Sequence, residues 1–184
     1  MPLTGRSRQT TDILVVCTGN VCRSPYIAEM LRSALPEFSI ASAGTSALVG
    51  AMPGEHVVRA LAERGVDATG LVPARTITAK MVRKSRLIIT ATRAHRMYVT
   101  NLHRPAARRT FTLKELVHFL DPPPRENGID GVVAQASLRA ATYDDLERDE
   151  DLADPYGLLW PAYERMAAEV DAALAVIVPA LRRA

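Results

Sequence analysis

Short apolar runs alternate along the chain with segments whose apolar residues recur at helical spacing. The clearest run, residues 13–16, is continuous and mostly β-branched, which is typical of a strand buried on both faces of a parallel sheet. Further strands are predicted at 38–42, 87–89 and, more weakly, 109–112. This alternation predicts an α/β fold: a single-domain, doubly wound sheet of about four parallel strands flanked by helices.

Helical patterns follow the predicted strands. Ser24 is a suitable N-cap and Pro25 suits a first turn, so a helix should follow the loop after the first strand. Pro179 should end or kink the last predicted helix. The remaining predicted helices cover residues 55–64, 93–103, 113–120 and 161–183.

Two segments interrupt this alternation. Residues 1–11 lack an apolar stretch and are predicted to form a disordered leader before a single domain at 12–184. Residues 121–153 contain three consecutive prolines, two glycines and many acids, so they are expected to be a loop insertion, with a short helix at 132–141 as an open alternative.

Composition narrows the class of protein. The chain has 184 residues, 48% of them hydrophobic, and its net charge is only +3, which favours one globular domain and no nucleic-acid partner. No segment approaches the roughly 20 apolar residues that a membrane span requires. The chain has two cysteines, Cys17 and Cys22, which are too few to form the disulfide framework of a secreted fold. A reducing, cytoplasmic setting is therefore expected.

The loop at residues 17–23 reads Cys-Thr-Gly-Asn-Val-Cys-Arg and carries the informative chemistry. A loop between a strand and a helix N-terminus turns backbone N–H groups inward and forms a site for a phosphate-like anion. Gly19 and Asn20 permit the unusual dihedral angles that such curvature needs. The loop is therefore predicted to bind phosphate.

The same loop contains a nucleophile and a charged ligand. The field that holds a phosphate dianion also favours thiolate over thiol at Cys17. Arg23 offers a planar fork for two phosphate oxygens, and Ser24 is placed to donate to the sulfur when it leaves. Attack of the thiolate on phosphorus would give a phosphocysteine, which water then hydrolyses.

Release of a phenoxide requires a general acid near the phosphate. Asp154 is the best candidate, because Pro155 stiffens the chain beside it and Tyr156 offers an aromatic wall for a substrate ring. On spacing alone, the acids between residues 144 and 151 compete with Asp154 for this role.

Three motifs resemble those of the low-molecular-weight protein tyrosine phosphatases. The phosphate loop matches Cys-x-Gly-Asn-x-Cys-Arg-Ser-Pro, residues 42–45 match Ser-Ala-Gly-Thr, and residues 154–156 match an Asp-Pro plus aromatic element. The resemblance implies Cys17 as nucleophile, Arg23 as phosphate ligand and Asp154 as proton donor. It implies no metal or cofactor, a phosphorylated protein as substrate and inorganic phosphate as product.

The resemblance also implies the supporting residues. Ser42 is expected to join a hydrogen-bond network with Asn20 and Ser24 that shapes the loop. The predicted substrate-binding residues are Thr18, Gly19, Asn20, Val21, Cys22, Ser24 and Tyr156.

The sequence departs from the family pattern mainly at substrate recognition. Many relatives have His-x-Ala-Arg where this chain reads Leu-Val-Pro-Ala-Arg at 71–75, so the histidine is missing and the network behind the loop is expected to differ. Residues 46–52 contain no aromatic residue, and Tyr156 is the single aromatic directly after Asp-Pro. The walls around a phenyl ring are expected to be thin.

Proteins with other functions share this loop or fold. Arginine phosphatases resemble this loop with threonine at the position of Val21, and an apolar residue there favours the tyrosine-specific type. Arsenate reductase of the same fold needs extra cysteines, and none follows Cys22. A module that binds phosphorylated partners without turnover would not need thiol, arginine and acid together.

For the residues that follow, a purely structural role is an alternative to a functional one. Cys22 either packs beneath the loop or forms a reversible disulfide with Cys17. Trp160 either lines the cleft or anchors the last helix. The four histidines are scattered, which disfavours zinc binding and predicts ordinary surface or helix-end roles for His56, His95, His103 and His118.

Overall fold

A four-stranded, all-parallel sheet forms the centre of the computed structural model, which describes residues 10–143 and 149–182. The strand order is β2-β1-β3-β4. The strands are β1 (Thr11–Cys17), β2 (Ile40–Gly44), β3 (Ser85–Thr90) and β4 (Thr110–Thr112). The prediction of an α/β sheet with about four parallel strands is confirmed.

The register of the sheet aligns the carboxyl ends of its strands. Cys17 of β1 is paired with Gly44 of β2, while Val16 is paired with Thr90 of β3. Thr90 in turn is paired with Thr112 of β4. The loops that leave all four strands therefore begin at one edge, where ligands bind in folds of this kind.

Helices cover both faces of this sheet. Two short 3₁₀ helices, Ala68–Gly70 and Arg104–Arg109, connect larger elements. The α-helices are α1 (Arg23–Ala34), α2 (Glu55–Ala62), α3 (Ala79–Lys84), α4 (Arg93–Leu102), α5 (Leu113–Phe119), α6 (Ile129–Ala140) and α7 (Trp160–Leu181). Within the described residues, no helix is both long and apolar enough to span a bilayer.

The central strand β1 is apolar throughout because it contributes to two cores. Ile13 and Val15 belong to the larger core, with residues of α1, α2, α5, α6 and α7. Leu14 and Val16 belong to the smaller core on the other face, where α3 and α4 pack. Burial on both faces explains the continuous apolar run seen in the sequence.

The predicted loop at 121–153 is wrong for residues 129–140, which form α6. Ile129, Val132 and Ala136 are buried on one face of this helix, and the Gln135 amide donates to the carbonyls of Phe119 and Pro122 at 2.8 Å each. The helix suggested at 132–141 therefore exists and begins earlier. Because prolines and glycines surround this segment, the sequence pattern did not indicate its short apolar face.

Other boundaries also shift. Thr11, placed in the predicted leader, belongs to β1, whereas residues 1–9 lie outside the described part of the chain. Helix α3 was not predicted. Helix α7 includes Pro179 and ends soon after it, at Leu181.

Candidate active site

The phosphate loop runs from the last residue of β1, Cys17, to the first residue of α1, Arg23. Asn20 has φ of 57°, in the left-handed region that asparagine tolerates better than most residues. The local sequence thus supplies the curvature that a strand-loop-helix anion site requires.

The segment after β2 holds the outer side of this loop. The N–H groups of Thr45, Ser46 and Leu48 donate to the carbonyls of Cys17, Thr18 and Gly19 at 2.9, 3.0 and 3.0 Å. These carbonyls are therefore directed to the neighbouring segment and away from a bound anion. The Ser-Ala-Gly-Thr motif thus contributes to the shape of the phosphate loop.

Two donors approach the Cys17 sulfur. The Ser24 hydroxyl lies 3.0 Å from Sγ, and the Asn20 N–H donates to it at 3.3 Å. Both Cys17 and Ser24 are buried. Donors aimed at a sulfur stabilise its anionic form.

A side-chain network supports the loop from behind. The Asn20 amide donates to the hydroxyls of Ser24 and Ser42 at 2.9 and 3.0 Å, and its oxygen accepts from the Arg75 N–H at 3.0 Å. Arg75 Nε also donates to the Ser42 carbonyl at 2.9 Å. The structure therefore brings together the three residues expected to form this network and adds Arg75 to them.

Arg23 is buried and has contacts on two sides. One terminal nitrogen donates to the Leu152 carbonyl at 3.1 Å. The other donates to Asp154 Oδ2 at 2.5 Å and to Thr18 Oγ1 at 3.3 Å. Its Nε is buried, and nothing in the described part of the chain accepts its hydrogen. That donor is available to an anion in the pocket.

Asp154 lies beside this guanidinium, although it is far from the loop in sequence. Its side chain is 43% exposed, so it faces the mouth of the pocket. Asp149 pairs instead with Lys114, and Asp151 accepts from the Arg93 N–H. The competing acids at 144–148 lie outside the described residues.

A pocket of about 140 Å³ connects these groups. Cys17 and Arg23 line it, and Val21, Leu48 and Tyr156 form apolar walls. A larger depression of about 970 Å³ lies among α5, α6 and α7, but no residue of the phosphate loop lines it. The buried thiol and guanidinium therefore identify the site better than size does.

Comparison with known proteins agrees with this geometry. The sequence model of the low molecular weight phosphotyrosine protein phosphatases matches residues 12–128. The chain belongs to this family. A Ralstonia solanacearum protein named "Probable low molecular weight protein-tyrosine-phosphatase EpsP" is 36% identical over 115 residues, which are 62% of this chain and 79% of that protein.

Solved structures of similar fold include two with different named activities. The Erwinia amylovora tyrosine phosphatase amsI superimposes with a TM-score of 0.72 and 28% identity, covering 99% of this chain and 100% of that one. The YwlE arginine phosphatase from Geobacillus stearothermophilus gives a TM-score of 0.69 and 25% identity, with 92% and 91% coverage. Substrate choice within the family therefore has to be argued from the pocket.

Cys22 belongs to the phosphate loop of this family member, directly before α1, and is among the residues that line the pocket. Its Sγ is 3.4 Å from the Tyr163 hydroxyl, and both of the chain's cysteines are free thiols. Burial raises the pKa of the Cys22 thiol. Cys22 therefore packs as a buried free thiol against Tyr163 of α7. A disulfide with Cys17 stays a prediction.

Trp160 anchors α7 to α2. The Arg59 guanidinium lies 3.8 Å from the centre of its ring, and the His56 ring is 5.9 Å away. Trp160 is not among the residues that line the pocket at Cys17. Of the two roles considered for it, the structure supports the anchoring one.

His95 lies at a helix end, as expected, in the first turn of α4, but it is buried and contacts the phosphate loop instead of having an ordinary surface role. His95 is only 6% exposed, and its Nε2 lies 2.9 Å from Thr18 Oγ1 in the phosphate loop. Burial, aided by the nearby Arg23 charge, lowers the pKa of His95 to about 4. Its sequence signal was weak: Thr92 three residues earlier caps a helix that begins at the same sheet edge.

Proposed function

We propose that this protein is a protein tyrosine phosphatase that hydrolyses phosphotyrosine through a phosphocysteine at Cys17. The observation that carries the proposal is one pocket in which a buried sulfur with two donors, a buried guanidinium and a carboxylate converge. Their joint presence fits phosphoryl transfer better than binding alone, because each group has a separate step to perform.

Phosphate binding would use the loop and Arg23. Backbone N–H groups at a helix N-terminus favour a dianion, and the Arg23 Nε supplies a buried donor without a protein partner among the described residues. The terminal nitrogen now bonded to Asp154 can turn to a second phosphate oxygen once that carboxyl group moves to the leaving oxygen.

The first step would transfer the phosphoryl group to sulfur. The Cys17 thiolate attacks phosphorus, the S–P bond forms and the bond from phosphorus to the tyrosine oxygen breaks. Asp154 in its protonated form delivers its proton to that oxygen. Tyrosine leaves neutral, and Asp154 becomes a carboxylate.

The second step would return the enzyme to its starting state. Asp154 removes a proton from a water molecule, whose oxygen attacks phosphorus while the S–P bond breaks. The leaving thiolate is stabilised by the Ser24 hydroxyl and the Asn20 N–H. Inorganic phosphate is the product, and the cycle requires neither metal nor cofactor.

The walls of the pocket favour a phenyl ring as the group that carries the phosphate. Val21, Leu48 and Tyr156 are apolar surfaces with which a ring can pack. Leu48 comes from the segment that lacks an aromatic residue, so an aliphatic side chain provides that wall. Arsenate reduction would need further cysteines, and the sequence has only two.

The setting proposed for this reaction is the cytoplasm, with phosphorylated proteins as partners and without nucleic acid or membrane. A reducing compartment keeps Cys17 unoxidised, as nucleophilic attack by its sulfur requires. The +3 net charge leaves the protein with no strong bias toward nucleic acid.

Removal of either reacting group tests the chemistry. We expect hydrolysis of p-nitrophenyl phosphate in EDTA, loss of turnover in Cys17→Ser, and a decrease of at least about tenfold in kcat for Asp154→Ala. Asp130→Ala, which removes an exposed carboxylate elsewhere, serves as the control. Persistent turnover by Cys17→Ser would overturn the mechanism.

A second assay separates the candidate substrates. We expect kcat/KM on phosphotyrosine peptides to exceed that on matched phosphoarginine peptides. Preference for phosphoarginine would replace the tyrosine assignment with the activity named for the Geobacillus stearothermophilus relative.

A further inference from the structure

His95 connects two loops that leave neighbouring strands at the active edge of the sheet. It lies in the first turn of α4, after β3, while Thr18 lies in the phosphate loop after β1. Both ring nitrogens have a threonine partner: Nε2 is 2.9 Å from Thr18 Oγ1, and Nδ1 is 2.8 Å from Thr92 Oγ1. A buried ring bonded at both ends has a fixed orientation.

The Thr18 hydroxyl extends this connection to Arg23. Its oxygen accepts from the Arg23 terminal nitrogen at 3.3 Å, which leaves its own hydrogen for His95 Nε2. The His95 Nδ1–H then donates to Thr92, whose oxygen also accepts from the His95 backbone N–H at 3.2 Å. In this arrangement the Arg23 terminal N–H, the Thr18 hydroxyl and the His95 Nδ1–H each have one acceptor along the connection.

A neutral imidazole is required for that direction of donation. Arg23 from α1 faces His95, as do the Asp151 and Asp154 carboxylates from the segment before α7. Burial and Arg23 outweigh these two acids, so the pKa of His95 falls to about 4. His95 can therefore accept from Thr18 at neutral pH.

The contact matters because Arg23 loses another partner during the proposed reaction. Asp154 must leave the guanidinium to protonate the substrate oxygen. Within the described residues, the Leu152 carbonyl and the Thr18 hydroxyl are then its remaining partners. An oriented hydroxyl at Thr18 would hold the same terminal nitrogen in place when Asp154 moves.

We propose that His95 is a positioning residue of the phosphate site, which orients the Thr18 hydroxyl and through it the Arg23 guanidinium. This inference rests on the proposed function, since it assigns Arg23 to a bound phosphate. It adds a residue from the loop after β3 to the support of the phosphate loop after β1.

Two substitutions of His95 separate the proposed role from simple packing. The asparagine amide nitrogen and the histidine Nδ1 are the same number of bonds from Cβ. His95→Asn should therefore keep the contact with Thr92 and lose the contact with Thr18. The glutamine amide reaches as far as Nε2, so His95→Gln keeps the Thr18 contact. Thr18→Val removes the shared hydroxyl and keeps the side-chain volume.

Inorganic phosphate, titrated into each variant by calorimetry, gives a readout that does not depend on turnover. For His95→Asn and for Thr18→Val we expect the dissociation constant to rise about tenfold, and for His95→Gln to stay within about threefold of the wild type. The double variant with His95→Asn and Thr18→Val should bind no more than about twofold more weakly than Thr18→Val alone. The kcat/KM for p-nitrophenyl phosphate should fall in parallel.

The control is Thr78→Ala, which removes the N-cap of α3 and lowers stability without touching this site. The inference would be overturned if His95→Asn bound phosphate as tightly as the wild type, or if the two substitutions had additive effects in the double variant. Either result would leave the proposed function standing. A wild type that neither binds phosphate nor hydrolyses p-nitrophenyl phosphate would overturn the proposed function and the inference with it. If His95→Asn does not fold, Thr18→Val and His95→Gln still decide between the outcomes.

Discussion

Gly44 shows how the absence of one side chain shapes the phosphate loop. A Cβ at this position would lie 2.3 Å from the Thr18 carbonyl oxygen and 3.1 Å from the Ala47 Cα. The Thr18 carbonyl also accepts from the Ser46 N–H, so the backbone atoms that would clash are held in place. Close approach of two backbones is therefore the physical reason for glycine here.

Substitution of this glycine should damage the site more than the fold. For Gly44→Ala we expect kcat/KM to fall at least about tenfold and the free energy of unfolding to fall by about 1–3 kcal/mol, because the loop must shift. Steady-state kinetics and urea unfolding measure the two effects.

The matched control is Gly54→Ala. A Cβ at Gly54 would meet nothing within 4 Å, and the backbone there is extended. Kinetics should stay within about twofold of the wild type, with a loss below about 1 kcal/mol from the weaker N-cap. Normal kinetics in Gly44→Ala would show that the loop tolerates the displacement.

At the scale of elements, the segment that carries the proposed proton donor is fixed by contacts with α1, with α4 and with Ala91, the residue after β3. The Leu152 N–H donates to the Ala91 carbonyl at 2.8 Å, and its carbonyl accepts from Arg23. Asp151 Oδ1 accepts from the Arg93 N–H at 2.8 Å, at the N-terminus of α4, where the helix dipole favours an anion. The position of Asp154 therefore depends on an element distant in sequence.

Asp151→Ala should impair proton donation selectively. We expect kcat on phenyl phosphate, a poor leaving group, to fall about fivefold, and kcat on p-nitrophenyl phosphate to fall by less than about twofold. The difference arises because p-nitrophenolate, the better leaving group, depends less on the exact position of the acid than phenoxide does. Equal decreases on both substrates would show that Asp151 does not position the donor, and Asp130→Ala again controls for lost charge.

At the scale of the whole molecule, the parallel register explains how the site is assembled. β1 lies between β2 and β3, so the loops after β1 and β3 meet where the chain changes direction across the sheet. The phosphate loop comes from the first, and His95 comes from the second. A buried histidine in this position also couples the stability of the whole fold to pH.

The sign of this coupling follows from the pKa of His95, which is about 4 in the fold and 6.5 for an unperturbed imidazole. Between these values the unfolded chain binds a proton that the folded protein does not, so the stabilisation is present above about pH 6.5 and is lost as pH falls through 4. After allowance for solvent screening, the loss is on the order of 2 kcal/mol.

Urea unfolding between pH 4 and 8 measures this effect. The difference in unfolding free energy between the wild type and His95→Gln should shrink as the pH falls below about 6.5 and stay constant above it. Subtraction of the two curves removes the contribution of the carboxylates. A difference that does not change with pH would show that His95 is not held neutral by the fold.

The sequence predicted the strands and most helices because their signals are local. The apolar run in β1 and Pro25 in the first turn of α1 lie within a few residues of each other. The N-cap predicted at Ser24 is wrong, because Ser24 is the second residue of α1 and its hydroxyl contacts the Cys17 sulfur instead of capping the helix. Helix α6 was largely missed because its buried face consists of Ile129, Val132 and Ala136, a small set beside many prolines and acids. That face is buried only in the tertiary structure, where α6 contacts β3, α5, α7 and the 3₁₀ helix Arg104–Arg109.

The sequence alone determined the chemistry of the phosphate loop, because nucleophile, arginine and curvature-permitting residues all lie within residues 17–23. Tertiary structure decided which distant groups reach that loop. Arg23 meets Asp154 across 131 positions, and Thr18 meets His95 across 77. Such contacts depend on strand order and register, which neighbouring residues do not encode, so no local pattern could have assigned His95 to the site.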